Sequence, residues 1–127
     1  MHKKRWIYLA STWENRFTLR PIANKIESLG HNVTSNWIWI DESFDGRTEA
    51  IRDYNDINGS CTLVLWPDEH TKHSSGKFVE FGIALAWGLD IFIVDRSTSS
   101  CVFFDLDLGR MQFVDNWEGL YKLLERK

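Results

Sequence analysis

The segment CTLVLW, residues 61–66, shows no alternation of polar and apolar side chains. A strand with one solvated face would alternate, so this pattern predicts a central strand that is buried on both faces. The segment IFIV, residues 91–94, has the same character. Strands of this kind belong to parallel sheets that helices cover on both sides, which favours an α/β fold.

The remaining segments supply the other strands and the helices. Residues 5–10 and 31–40 are predicted as the first two strands, and residues 101–104 and 111–114 are strand candidates. Helical spacing of apolar residues occurs at residues 17–29, 48–57, 76–87 and 115–126. The alternation predicts one domain over residues 1–127. We expect a single doubly wound parallel sheet of about five strands in the flavodoxin-like order 2-1-3-4-5, with helices on both faces.

Glycine, proline and capping residues indicate where the predicted helices begin and end. Gly30 and Gly88 are expected to terminate the first and third helices. Pro21 should lie near the first turn of its helix, since proline disrupts a helix interior. Asp115 and Glu118 resemble a capping box at the start of the last helix.

Charge and hydropathy narrow the function classes. The net charge is -3, and the only basic cluster, residues 2–5, is interpreted as a solubilising terminus, so no nucleic-acid polymer is expected as a partner. The sequence has no apolar run of about 20 residues and no signal peptide, so we expect the protein neither to insert into a membrane nor to be exported.

Cys61 and Cys101 are isolated and are interpreted as buried thiols in a reducing cytoplasm. Seven Trp residues indicate either a stacking surface for flat ligands or an oligomer interface.

Parallel sheets bind ligands at the carboxyl ends of their strands. The residues expected at that edge are polar: Ser11, Thr12, Glu14, Asn15, Arg16, Asp41, Glu42, Asp45, Asp68, Glu69, His70, His73, Ser74, Ser75, Asp95 and Arg96. His70 and His73 suggest a metal, but no convincing further ligands accompany them, so neither a metal nor an organic cofactor is expected.

Two carboxylates form the candidate catalytic pair. Glu80 lies between Val79 and Phe81 near the start of its helix, and Asp53 lies eight residues before the central strand. If they converge at the sheet edge, one could attack or hold a sugar carbon while the other handles a proton, because cleavage at an anomeric carbon passes through an oxocarbenium-like state. Ser74 could hold a hydroxyl or phosphate oxygen. Alternatively, both acids are ordinary solvated helix residues and Ser74 is a helix cap.

Four segments together resemble the nucleoside 2-deoxyribosyltransferase-like superfamily, which includes 2′-deoxynucleoside 5′-monophosphate N-hydrolases. They are IYLASTWENR, LGHNVTSNWI, AIRDYNDINGSCTLVL and SGKFVEFGIALAWGLDIFIV, and they span nearly all of the chain in order. The pattern of Gly76, Glu80 and Gly82 is the most specific element.

The resemblance implies roles for individual residues. Glu80 matches a nucleophile that forms a glycosyl-enzyme and is expected to be ionised at neutral pH. Asp53 matches an aspartate that assists orientation and proton transfer, and Tyr8 matches a tyrosine that orients the glutamate, although Tyr8 could equally be a core residue. Ser74 matches a serine that contacts a 5′-phosphate.

Other binding residues are less determined. Trp13 and Trp37 either stack on a base or belong to the core or an interface. Arg16 could hold a phosphate, although the turn STWENR lacks the glycines usual in the nucleotide-hydrolysing branch. The family also implies a homodimer or larger assembly with shared sites, to which Asp105 or Asp107 could contribute from a neighbouring subunit.

Three functions remain in competition. The first is an N-glycosidic hydrolase or deoxyribosyltransferase acting on a nucleoside or nucleotide. The second is a non-catalytic nucleotide-binding module on the same fold. The third is an interaction domain, which would leave Glu80 exposed and distant from Asp53.

Overall fold

A computed structural model describes residues 3–43, 45–68, 75–96 and 101–125. The strands are β1 (Trp6–Ala10), β2 (Asn32–Val33), β3 (Thr62–Leu65), β4 (Asp90–Val94) and β5 (Met111–Val114). The α-helices are α1 (Arg16–Ser28), α2 (Gly46–Asn58), α3 (Gly76–Trp87) and α4 (Trp117–Leu124). Short 3₁₀ helices cover Trp13–Asn15, Asn36–Trp39 and Val102–Asp105.

The five strands form one parallel sheet in the order β2-β1-β3-β4-β5. The predicted fold class and strand order are therefore confirmed. β3 is central: Leu63 pairs with Tyr8 on one side and with Ile91 on the other. All four residues of β3 are buried, as its unbroken apolar pattern predicts.

The helices form two pairs, because α1 packs against α4 and α2 packs against α3. Right-handed crossovers place such pairs on opposite faces of the sheet. Gly30 and Gly88 follow α1 and α3 with positive φ angles of 98° and 77°, as expected of helix-terminating glycines. α2 and α3 thus lie together, and their first turns approach the edge where β1 and β3 end.

The segment 31–40, predicted as a strand, pairs only through Asn32 and Val33. The chain then turns into a 3₁₀ helix in which both Trp37 and Ile38 are buried. This turn carries both side chains into the core beside β1. The indole Nε1 of Trp37 donates to the Leu9 carbonyl oxygen at 2.8 Å, which holds this turn against β1.

Other predicted boundaries are also wrong. The strand candidate at 101–104 is largely a 3₁₀ helix, Val102–Asp105, whereas 111–114 forms β5 as expected. The cap of α4 is Asn116, whose side chain accepts from the Gly119 amide, and not Asp115. Pro21 lies inside α1, but its side chain is exposed, and burial of the opposite face of α1 maintains the helix.

None of the helices in the described ranges has the length and apolar character that crossing a bilayer requires. Cys101 is half-buried and Cys61 is exposed, so the prediction that both thiols are buried is wrong.

Candidate active site

A pocket of about 310 Å³ opens at the carboxyl edge of the sheet, next to the ends of β1 and β3. Its lining comes from the turns after β1 and β2 and from the first two turns of α2 and of α3: Ser11, Trp13, Trp37, Ser43, Glu49, Arg52, Asp53, Gly76, Lys77 and Glu80. The pocket combines two Trp rings with three carboxyl groups and two basic groups. The rule that locates ligands at the carboxyl ends of parallel strands therefore coincides with an actual cavity.

Tyr8 and Glu80 are joined by a direct hydrogen bond. Tyr8 lies in the middle of β1 and is completely buried. Its hydroxyl donates to Glu80 Oε2 at 2.8 Å. Because Tyr8 is fixed by the sheet, this bond sets the position of the carboxyl group of Glu80 on α3. Burial, together with the nearby carboxylates of Glu80 and Asp53, raises the pKa of the Tyr8 hydroxyl well above 10, so it remains a donor.

Glu80 is the most perturbed acid of the pocket. Burial, followed by repulsion from Asp53, raises the pKa of Glu80 to about 8. The hydrogen bond from Tyr8 and the charge of Arg52 act in the opposite direction. The expectation that Glu80 is ionised at neutral pH is therefore wrong for the unliganded protein, because the fold removes the carboxyl group from water and sets it beside a second acid.

Asp53 is the partner of Glu80. The two side chains share a hydrogen bond across the α2–α3 contact. Burial raises the pKa of Asp53, and Arg52, whose Nε lies 3.1 Å from Asp53 Oδ1, lowers it. The guanidinium favours negative charge on Asp53, so a proton shared by the two carboxyl groups is favoured on Glu80.

A buried polar network supports the floor of the pocket. Ser11 Oγ donates to the Trp66 carbonyl oxygen at 2.8 Å, and Asn15 Nδ2 donates to Ser11 Oγ at 3.1 Å and to Asp68 Oδ2 at 2.8 Å. Lys77 is 1% exposed, and its Nζ donates to Thr12 Oγ1 at 3.2 Å. This bond ties the first turn of α3 to the turn after β1, one helical turn before Glu80.

Four of the predicted binding residues line the pocket, and Arg16 is not among the lining residues. Trp13 and Trp37 line the pocket with ring centroids 6.3 Å apart and planes inclined by 32°. Ser11 and Gly76 also line it. The guanidinium of Arg16 stacks on Trp13 at 4.0 Å and donates to the carbonyl oxygens of Ile40 and Asp41.

The phosphate role of Arg16 stays a prediction, and the donors of this side chain are engaged with the loop after Trp39. Ser74 lies outside the described residues, as do Glu69, His70 and His73. Among the residues that the structure describes, no three His, Cys, Asp or Glu side chains are grouped so as to hold a metal ion.

Four lining residues were missed by sequence reasoning: Ser43, Glu49, Arg52 and Lys77. Arg52 and Lys77 are sequence neighbours of Asp53 and Gly76, and Glu49 precedes Asp53 by one helical turn. The helical spacing of Glu49 and Asp53 was the available signal, because residues four apart share one face of a helix.

The interaction-domain hypothesis expected Glu80 to be exposed and distant from Asp53. Glu80 is instead half-buried and hydrogen-bonded to Asp53. The arrangement suits chemistry in which one carboxyl group stores a proton for the other, with a fixed hydroxyl supporting the negative charge that the transfer creates.

Comparison with known proteins yields similarity of structure but not of sequence. No protein-family model matches the chain, and no curated protein matches it. Among solved structures, the chain is similar to the CMP N-glycosidase BcmB of Clostridium botulinum, with a TM-score of 0.67 and 16% identity over 93% of this chain and 96% of that one. It is also similar to a 3-dehydroquinate dehydratase-like protein from Bifidobacterium longum, with a TM-score of 0.50 and 16% identity over 96% and 93% of the two chains.

At this identity the similarity concerns the fold, and it extends over nearly the whole of both proteins. The fold that the resemblance to nucleoside 2-deoxyribosyltransferase-like proteins implied is thereby confirmed. The chain has the same fold as an enzyme that cleaves an N-glycosidic bond.

Proposed function

We propose that the protein cleaves the N-glycosidic bond of a nucleoside or nucleotide, ribo or deoxyribo, through a glycosyl-enzyme on Glu80. The observation that carries this proposal is the hydrogen-bonded pair of Asp53 and Glu80, with the Tyr8 hydroxyl on Glu80 Oε2, at the wall of a polar pocket. The shared fold with a CMP N-glycosidase supports the reaction type and extends it to 5′-monophosphates.

In the first half of the reaction, the proton of Glu80 passes across the shared hydrogen bond to Asp53, which delivers it to the departing base. The Glu80 carboxylate attacks the anomeric carbon. The C–O bond to Glu80 forms as the C–N bond breaks, and the base leaves with the bonding electron pair and the proton. The Tyr8 hydroxyl stabilises the carboxylate before attack and keeps its second oxygen directed at the pocket.

In the second half, an acceptor attacks the anomeric carbon of the ester and Glu80 departs as a carboxylate. Asp53 takes one proton from the acceptor, so the pair again holds a single proton. With water as the acceptor the protein is a hydrolase, and with a free base it is a deoxyribosyltransferase. Both outcomes use the same residues, and the acceptor is identified by experiment.

The remaining lining residues have proposed contacts with the substrate. Trp13 and Trp37 offer aromatic surface to a base, and Ser11 and Gly76 offer polar groups to the sugar. No metal or organic cofactor is required by this chemistry. Cytoplasmic location remains part of the proposal, since both described cysteines are unpaired thiols.

The test is a panel of ribo- and deoxyribonucleosides and their 5′-monophosphates, incubated with and without a second free base and followed by chromatography. Release of base, or exchange in the presence of the second base, is expected for the wild type and should disappear in Glu80→Gln. The matched control is Glu118→Gln, an exposed glutamate on α4 that does not line the pocket. Intact-protein mass spectrometry should detect a sugar adduct on the wild type during turnover.

The principal competing outcome is binding without turnover. If one compound binds tightly, survives prolonged incubation and forms no adduct, then the protein is a nucleotide-binding module and the enzymatic proposal fails. Activity that persists in Glu80→Gln would reject Glu80 as the nucleophile.

We further propose that the protein forms a homodimer through the side of α3 that faces away from α2. An apolar groove of about 730 Å³ runs there between α3 and the segment 101–110. Among the described residues that line it, Arg110 alone is charged, and its guanidinium donates to the carbonyl oxygens of Leu85 and Leu89. Val102 and Phe103 line this groove and are 73% and 55% exposed, and a twofold axis would pack these side chains of each copy against the groove of the other.

Such a dimer would bring Asp105 and Asp107 of one subunit near α3 of the other, where Gly76 and Glu80 line the catalytic pocket. Light scattering should give a dimer mass for the wild type and a monomer mass for Phe103→Glu. A monomeric wild type at micromolar concentration would refute this assembly. It would not affect the proposed chemistry of Glu80, which the base-release assay tests separately.

A further inference from the structure

We propose that Glu49 determines the base specificity of the site and selects a base with an exocyclic amino group opposite its glycosidic nitrogen, as in cytosine, over one with a carbonyl oxygen there, as in uracil. This inference rests on the proposed N-glycosidic function. It concerns a residue that neither the paired carboxylates nor the hydroxyl of Tyr8 requires.

Glu49 is a pocket carboxylate outside the catalytic pair. It lies in the first turn of α2, lines the pocket and is half-buried. Within the described residues its side chain makes no hydrogen bond and no ion pair within 4.0 Å, whereas Asp53 is held by Arg52 and Glu80 by Tyr8. The carboxylate of Glu49 lines the pocket and has no hydrogen-bond partner among the described residues, so it is suited to accept a hydrogen bond from a donor group of the ligand.

The spacing of Glu49 from Asp53 matches the dimensions of a pyrimidine. The two residues are one turn apart on the same face of α2, which separates them by about 6 Å along the helix. In the proposed reaction the anomeric carbon lies at Asp53 and Glu80. A pyrimidine ring bonded to that carbon spans a comparable distance to the substituent at its opposite edge.

The charges of the pocket orient the ligand. Lys77 and the first turn of α3 provide positive potential on one side, and Glu49 provides negative charge on the α2 side. A sugar phosphate is repelled by Glu49, so the base is the part of the ligand that extends toward it. A carboxylate accepts hydrogen bonds from the amino group of cytosine, whereas it repels the carbonyl oxygen that uracil has at the same ring position.

The test compares cytosine and uracil substrates of the same sugar and phosphorylation state, with wild type, Glu49→Gln and the Glu118→Gln control. The wild type and the control should prefer cytosine in kcat/KM. In Glu49→Gln the ratio of cytosine to uracil should fall roughly 10- to 100-fold, since a well-placed base contact provides discrimination on this scale, and a glutamine amide can both accept and donate. Activity on the uracil substrate should be maintained or increased, which a folding defect would not produce.

Binding measurements separate this inference from the reaction. In a Glu80→Gln background, titration calorimetry should show tighter binding of the cytosine compound and loss of that preference when Glu49→Gln is added. An unchanged ratio in Glu49→Gln, or a wild type that prefers uracil, would overturn the role of Glu49 while leaving base release intact. Absence of base release from every substrate, with the binding preference preserved, would overturn the proposed function alone.

Discussion

The elevated pKa of Glu80 makes the stability of this protein depend on pH in a way that one substitution should abolish. The change is Glu80→Gln, which keeps the size and polarity of the side chain and removes its titration. The pKa of Glu80 is about 8 in the folded state against an ordinary value of 4.5. The folded protein therefore holds this proton more tightly than the unfolded chain does.

The sign follows from proton linkage. A group whose pKa is raised by folding contributes stability that is fully present below its unfolded pKa and is lost as pH rises through the folded pKa. The relevant interval runs from 4.5 to about 8. Since each pH unit in this interval corresponds to about 1.4 kcal/mol, the wild type should lose about 2 to 3 kcal/mol of unfolding free energy from Glu80 alone between about pH 6 and about pH 9.

The assay is urea denaturation followed by tryptophan fluorescence at several pH values, for which the seven Trp residues provide the signal. Glu80→Gln should lack this loss, so its stability relative to the wild type should increase with pH. The Glu118→Gln control should follow the wild type. If Glu80→Gln and the wild type lose stability in parallel over this range, the buried, protonated state of Glu80 is refuted.

Three further outcomes are expected. Tyr8→Phe removes the 2.8 Å bond to Glu80 Oε2 and should lower kcat roughly 10- to 100-fold while the protein remains folded by circular dichroism, because a hydrogen bond to a charged group contributes about 1.5 to 3 kcal/mol. Asp53→Asn removes the repulsion that raises the pKa of Glu80, so in the same denaturation assay the loss of stability with rising pH should end at a lower pH and be smaller than in the wild type. Arg110→Ala removes two 2.8 Å hydrogen bonds to the Leu85 and Leu89 carbonyl oxygens, so it should destabilise the protein by about 1 to 3 kcal/mol, measured as a lower urea midpoint. The control Arg47→Ala, at an exposed position, should have little effect on that midpoint.

The order of the sheet follows from local sequence patterns. The apolar segments at β3 and β4 identify strands buried on both faces, and the helical spacings between them require parallel crossovers, for which few topologies exist. The β-branched and aromatic residues of segment 31–40 favour a strand locally, whereas the structure has a two-residue strand followed by a 3₁₀ helix. The 3₁₀ turn observed there buries both Trp37 and Ile38. That burial depends on contacts which form only in the assembled fold.

For the site, Glu80 could be singled out as an acid among apolar helix residues, and the roles of Glu80 and Asp53 followed from the resemblance of the surrounding segments to a known superfamily. The sequence did not determine their protonation. That property depends on how much water the packing of α2 against α3 excludes, and on the Arg52 and Tyr8 groups that the fold brings to the pair. Glu49 and Lys77 became part of the pocket for the same reason: helix orientation decides which of the many polar residues at the sheet edge face one cavity, and that orientation is set by contacts between residues far apart in the chain.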